Sequence, residues 1–357
     1  MKLVLITFIL GCLTASADTV LFDSNETLEL ELTYDINKLQ IEKEDLRLKG
    51  LSGKLITTTD RKEFPVEVLS RGAGSFDCKQ PQLKIKFNKK DNKNTIFESL
   101  KKVKLFTKGL CLDNKTSVEQ DRNILANYLN YKLYEEFTLA HYKTRLVKIN
   151  YIDSSGTYKP YTQLAFFLEP KNSLEKRLEL KYIEKMDLPT LKEEIKLHTD
   201  YKQSAIVHAF EFFIANYDYG IPGQFSHIIN DSGYGEINFF EKNSKMFVDR
   251  SGSYIPFIYD FDISRFGYWG DFCFVGFPFF NHNYPMPPSC NSQGLEAMLV
   301  NDLAKFKFQQ DVRDHSSYLV NAFRAWRTQY AEEIEYLGTA YSSGFDAFIH
   351  AFIEVTK

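Results

Sequence analysis

Apolar and polar residues alternate strictly along Thr27-Leu-Glu-Leu-Glu-Leu-Thr-Tyr34, the period-two pattern of a half-buried strand. Similar segments follow at 54–59, 64–69, 82–87, 103–106 and 145–151, and another at 163–168 ends at Glu169-Pro170, where proline cannot continue a ladder. One helix interrupts them. Between Val118 and Phe137 the residues Ile124, Leu125, Tyr128, Leu129 and Leu133 recur at helical spacing, giving one apolar stripe to lay on a sheet. Helices dominate afterwards, at 173–180, 188–197, 203–217, 294–306, 312–336 and 343–355. Short strands at 225–229, 237–240, 245–248 and 254–259 fall between them. This order predicts an α+β chain in two lobes, strand-rich over residues 18–170 with one packed helix and helix-rich over 171–357.

The first residues read as a leader rather than as part of the fold. Lys2, the apolar run Leu3 to Leu13 and then Ala15-Ser16-Ala17 match a secretory signal peptide over residues 1–17. Alternatively, Ile9-Leu10-Gly11-Cys12 reads as a lipoprotein signal, with a lipid tether at Cys12. Either way an exported chain is expected, in the periplasm, the cell envelope or outside the cell, with no transmembrane segment. Four cysteines remain, Cys78, Cys111, Cys273 and Cys290. An even number in an exported chain suggests disulfides, and the pairs Cys78–Cys111 and Cys273–Cys290 are favoured because each lies within one regional block. The second pair would fasten the Gly-, Pro- and aromatic-rich stretch 267–291, which reads as a long ordered loop. A net charge of −3 gives no positive field to draw nucleic acid.

Candidate chemistry lies downstream of the midpoint, in Ala215-Asn-Tyr-Asp218 and in Tyr259-Asp-Phe-Asp262. Each acidic site stands where an apolar run breaks into a turn, where a carboxylate can be held at the rim of a cleft. Alternation on a strand would put Asp260 and Asp262 on one side and Phe261 on the other. Two carboxylates held that close repel unless a cation or proton lies between them, and a hard ion such as Mg²⁺ is the natural occupant. Read singly, these residues are also ordinary ones: solvated acids at a strand end, and a turn aspartate before Gly220.

A strand-rich lobe offering a lysine and a helical lobe offering aspartates is the arrangement that protein kinases use for phosphoryl transfer. The chain also resembles the spore-coat CotH kinase family, closest to its exported bacterial relatives of unassigned role. The residues that carry the resemblance are Ser70-Arg-Gly72, Cys78 to Phe87, Val103-Lys-Leu105 with Cys111, Tyr128 to Glu136, Arg145 to Asn150, Phe166-Phe-Leu-Glu169, Ala215-Asn-Tyr-Asp218 to His227, and Ile255 to Ser264. The last two blocks are the most specific. The resemblance implies a two-lobed atypical protein-kinase-like fold, with ATP and Mg²⁺ or Mn²⁺ between the lobes and a protein hydroxyl as acceptor. In that frame Asp218 is the catalytic aspartate, and Asp260 with Asp262 hold the metal. Lys86 or its same-parity rival Lys84 binds phosphate, Glu169 sits at the adenine hinge, and His227 stands near the nucleotide. Two departures are visible. Arg71-Gly-Ala-Gly-Ser-Phe-Asp77 lacks the relatives' arginine-rich turn, and Ile228 replaces an asparagine after the histidine. A catalytically inactive, kinase-shaped envelope or binding protein is therefore the alternative expectation.

Overall fold

The computed structural model describes residues 20–72, 78, 81–88, 90–107, 116–214, 216, 221, 229–230, 233–234, 243–261, 299, 303 and 309–357. Seven strands come first: β1 (Leu28–Tyr34), β2 (Leu51–Thr57), β3 (Glu63–Arg71), β4 (Gln82–Phe87), β5 (Lys102–Phe106), β6 (Thr144–Asp153) and β7 (Tyr161–Leu168). A short helix, α1 (Ile36–Ile41), follows β1, and the long α2 (Ser117–Glu135) separates β5 from β6. The helix expected at 118–137 is thus α2. Its start is fixed by a capping box, in which Thr116 and Glu119 satisfy each other's backbone N–H.

Every strand expected in the first 170 residues is present, but their assembly is not the one expected. The order β1-β2-β3-β4-β5-β7-β6 closes into a barrel, whereas a kinase-like strand-rich lobe requires an open sheet. This closed seven-stranded barrel overturns the two-lobed kinase-like fold. The closing contact is parallel, with β1 paired to β6 from Leu28↔Val147 to Tyr34↔Asp153, while the other neighbours are antiparallel. Alternation says that β1 has one dry face and one wet face. It carries no information about a partner that lies more than a hundred residues away.

Leu32, Leu55, Val68, Leu83, Ile85, Leu105, Val147, Ile149 and Phe167 fill the barrel interior, all fully buried. Phe97, from the β4–β5 connection, stacks on Phe87 at 4.9 Å and meets Phe64 edge-on at 5.0 Å. The wall at β6 and β7 is covered on its outer side as well. Consecutive residues Ala165 to Leu168 are therefore all buried, Ala165 and Phe167 in the barrel core and Phe166 and Leu168 in a second core shared with α2.

That second core gathers α3 (Lys171–Leu178), α4 (Lys192–His198), α5 (Tyr201–Phe213), α6 (Gln309–Gln329), α7 (Ala331–Leu337) and α8 (Thr339–Thr356). A three-stranded sheet of β8 (Lys181–Tyr182), β11 (Ser244–Val248) and β12 (Tyr254–Ile258) joins them, and β9 (Ile229–Asn230) pairs with β10 (Gly233–Tyr234). The helix expected at 312–336 is two helices, broken at Tyr330. Cys78 is buried and disulfide-bonded. Its favoured partner Cys111, the Cys273–Cys290 loop and the leader with Cys12 lie outside the described residues, as do most of the segments 225–229, 237–240 and 294–306. Among the described residues, no helix is long and apolar enough to cross a membrane.

Candidate functional site: a cationic barrel wall facing Asp260

Side chains on the outer surface of the barrel build one side of the site. Arg71 is the last residue of β3, Lys84 lies on β4, and Lys104 and Phe106 lie on β5. Strand register puts Lys84 directly opposite Lys104. The Arg71 guanidinium lies over the Phe106 ring at 4.3 Å, and that ring stacks on Phe166 at 4.6 Å. A flat cation on a flat ring that is itself held from behind is a rigid mount for positive charge.

The other side is the end of β12. The strand stops at Ile258, and Asp260 then adopts a left-handed backbone with φ of 72°, a conformation that aspartate tolerates better than most residues. Two anchors over-determine this turn. The Asp260 N–H donates to the Tyr131 hydroxyl on α2 at 2.9 Å, and Phe261 is fully buried against Tyr131, Tyr134 and Phe210 at 4.8, 6.1 and 5.7 Å. Asp260 itself stays partly exposed. The strand has ended before Asp260, so strand alternation does not set the direction of this residue.

Electrostatics ties the two sides together. Burial pulls the Lys104 ammonium down to about 8, and Arg71, Lys245 and Lys84 push the same way while Asp260 opposes them. Burial also lowers Arg71, with Asp260, Tyr131 and Tyr259 acting against it. Lys84 is lowered by burial, then by Lys102, Arg71 and Arg47. Lys245 on β11 shares the Tyr259 ring with Lys104, at 5.5 and 5.6 Å. Among the described residues the result is several partly desolvated cations around one carboxylate, a charge pattern that an oligophosphate would complement.

The expected residues divide into three groups. Asp260 is in the site, and Lys84 borders it through Arg71 and Lys104. Lys86 is half exposed and its ammonium is held at 2.9 Å by Glu67, so of the two rival lysines Lys84 is the one beside the cluster. Glu169 is buried and its carboxylate is gripped by Arg177 at 3.0 and 2.8 Å. Its N–H donates to the Lys143 carbonyl at 2.9 Å, so that donor is already used within the fold. Glu119, the acidic residue in the first turn of α2, is occupied in the capping box. Asp218, Asp262 and His227 lie outside the described residues.

Lys104, Lys245, Tyr131 and Tyr259 were not singled out as site residues, and Arg71 figures in the sequence only within the blocks compared with the family. A signal for Lys104 existed: it shares the outward parity of Phe106 in Val103-Lys-Leu-Phe106, beside a ring too large to be left in water. The described residues fit a phosphate group well and a divalent ion only in part. Asp260 offers one carboxylate, and no cluster of three or more metal-binding side chains occurs among the described residues. A separate cavity of about 570 Å³, lined by Thr57, Asp60, Lys62, Phe64, Ile96 and Glu98 among others, contains none of the candidate residues. No family model and no curated protein matches the chain.

Proposed function

We propose that this chain is an exported, metal-dependent phosphotransferase that moves the terminal phosphoryl group of ATP to a hydroxyl on a partner protein. The observation that carries the reading is the meeting of Arg71 and Lys104, both partly desolvated, with Asp260 at an over-determined turn. The motif resemblance to the CotH kinases supplies the class of donor and acceptor; the barrel as such argues for no particular chemistry. In transfer, the acceptor oxygen bonds to the γ-phosphorus, the bond to the bridging oxygen breaks, and ADP leaves. The hydroxyl proton passes to a carboxylate, the place that the resemblance gives to Asp218. Arg71 and Lys104 orient the phosphates and offset the charge on the phosphoryl oxygens. Mg²⁺ or Mn²⁺, when bound, supplies Lewis-acid charge neutralisation, and Asp260 is the described residue that would hold it.

Calorimetry with ATP, with and without Mg²⁺ or Mn²⁺, tests this reading, followed by transfer of labelled γ-phosphate to partner proteins. Lys104→Met is expected to weaken nucleotide binding by roughly ten- to a hundredfold, the loss of one charge-assisted hydrogen bond of about 1.5–3 kcal/mol. Asp260→Asn is expected to remove the metal dependence. Absence of nucleotide binding by the wild-type protein sinks the proposal, and binding without transfer reduces it to a nucleotide-binding protein.

A further inference from the structure

The outer face of β4 and β5 sets lysine against lysine. Lys84 stands directly opposite Lys104, and Lys86 directly opposite Lys102. Like charges at directly opposed positions destabilise a strand pair. Lysines on strands ordinarily guard a free sheet edge against pairing, and that explanation fails here. β4 is bonded on both sides, by β3 and β5, and β5 by β4 and β7, within a closed barrel. Lys86 is relieved by Glu67, its neighbour across the β3–β4 pair. Lys84, Lys102 and Lys104 have no hydrogen bond or ion pair among the described residues. The positive charges continue one another in order: Lys104 lies near Asp260, Lys245 and Arg71, and Lys84 near Arg71, Lys102 and Arg47. A row of cations therefore leads from the Asp260 turn outward to the exposed Lys102 and Arg47.

We infer that this row, Lys84, Lys102 and Arg47 continuing from Arg71 and Lys104, is a docking track for an extended acidic segment of the acceptor protein. The inference rests on the phosphotransfer reading for its purpose and on the strand register for its geometry. Lys102 and Lys104 are two residues apart on one strand, so they repeat at about 6.6 Å, the repeat of alternate side chains on an extended peptide. A segment with acidic residues at alternate positions would meet them in step. Nucleic acid is disfavoured because the described rings near the track are already engaged, Phe106 by Arg71 and Tyr259 by Lys104 and Lys245, leaving no free ring among the described residues there for a base to stack on. The net charge of −3 likewise gives no long-range pull toward an anionic membrane.

Fluorescence anisotropy with a labelled peptide of alternating Glu and Ser, beside the same peptide with Gln for Glu, tests the inference on the full chain. The Glu peptide is expected to bind and the Gln peptide not to, and a Lys84→Gln/Lys102→Gln double variant is expected to lose at least about tenfold in affinity, since charge-assisted contacts are lost. Equal binding by the folded double variant overturns the track, as does tighter binding to a single-stranded oligonucleotide or to vesicles containing anionic lipid. Where the double variant does not fold, salt decides on the wild-type protein: affinity unchanged between about 50 and about 500 mM NaCl overturns it, because exposed ion pairs are screened over that range. ATP binding without peptide binding removes the track alone. Peptide binding without ATP binding leaves the track and removes the phosphotransfer reading.

Discussion

On the phosphotransfer reading, Lys104 is expected to make nucleotide binding depend on pH in a direction opposite to that expected of the nucleotide. In the free protein its ammonium titrates at about 8, because burial, Arg71, Lys245 and Lys84 all disfavour the charged form. A bound phosphate favours that form, so binding and protonation help each other. With a free-state value of about 8, about nine-tenths of the molecules carry the Lys104 charge at pH 7 and about one-tenth at pH 9. The association constant for ADP or pyrophosphate is therefore expected to fall by about tenfold over that interval, a change of roughly 1.4 kcal/mol. A terminal phosphate, whose last ionisation lies near pH 6, gains a little charge over the same range and would by itself bind better at pH 9. A fall in affinity thus cannot come from the ligand. The assay is calorimetry at pH 7, 8 and 9 in two buffers of different ionisation enthalpy, in which uptake of about half a proton is expected at pH 8. Lys104→Met should give a flat profile. It should also raise the stability of the unliganded protein. The folded-state value lies below that of an unfolded lysine, about 10.4, so the cost of the buried charge is fully present below pH 8 and is relieved as pH rises toward 10.4. Flat wild-type affinity from pH 7 to 9, or an ε-ammonium signal for Lys104 that titrates above 10, refutes the placement of this lysine in a desolvated cationic cluster.

Two further predictions concern the frame around the site. Arg177→Met leaves the buried Glu169 carboxylate, among the described residues, with only the Lys143 N–H at 3.1 Å; urea denaturation is expected to show a loss of about 3–5 kcal/mol, the usual cost of breaking a buried ion pair from one side, whereas a loss below about 1 kcal/mol would mean that water reaches Glu169. Gly53→Ala would put a Cβ atom 2.8 Å from the Thr33 carbonyl oxygen in the β1–β2 pair. Because that oxygen is backbone in a closed wall, thermal unfolding should show a destabilisation of about 1–3 kcal/mol, and an unchanged midpoint would argue against the register that closes the barrel.

Each barrel strand was legible in sequence because each has one face in an apolar core. Leu28–Tyr34 alternates with the pleat, and Pro170 marks the end of the last strand at Leu168. Closure was not legible, since it rests on β1 meeting β6, and both halves of that contact look like any half-buried strand. The double burial of β7 was the nearest clue. Ala165-Phe-Phe-Leu168 is apolar on both faces, which states that something covers the outside of the wall without saying what. The break of β12 at Ile258 was hidden for a different reason. Apolar residues continue through Phe261, and only the left-handed conformation of Asp260 shows that this phenylalanine is an anchor rather than the next strand position.

The lysines are where sequence and structure differ most in meaning. In the sequence Lys84, Lys86, Lys102 and Lys104 are four outward positions of two alternating strands, the ordinary dress of a wet face. Register turns them into two opposed pairs, and closure of the barrel removes the edge that would have justified them. Among the described residues, only Lys86 of these four is offset by an acid across the sheet. The remaining repulsion is a cost to the folded state that a Gln or Thr at position 84 or 104 would avoid without loss of strand character. Beside Arg71 and Asp260, that cost is what the phosphate and the acidic segment proposed above would offset on binding.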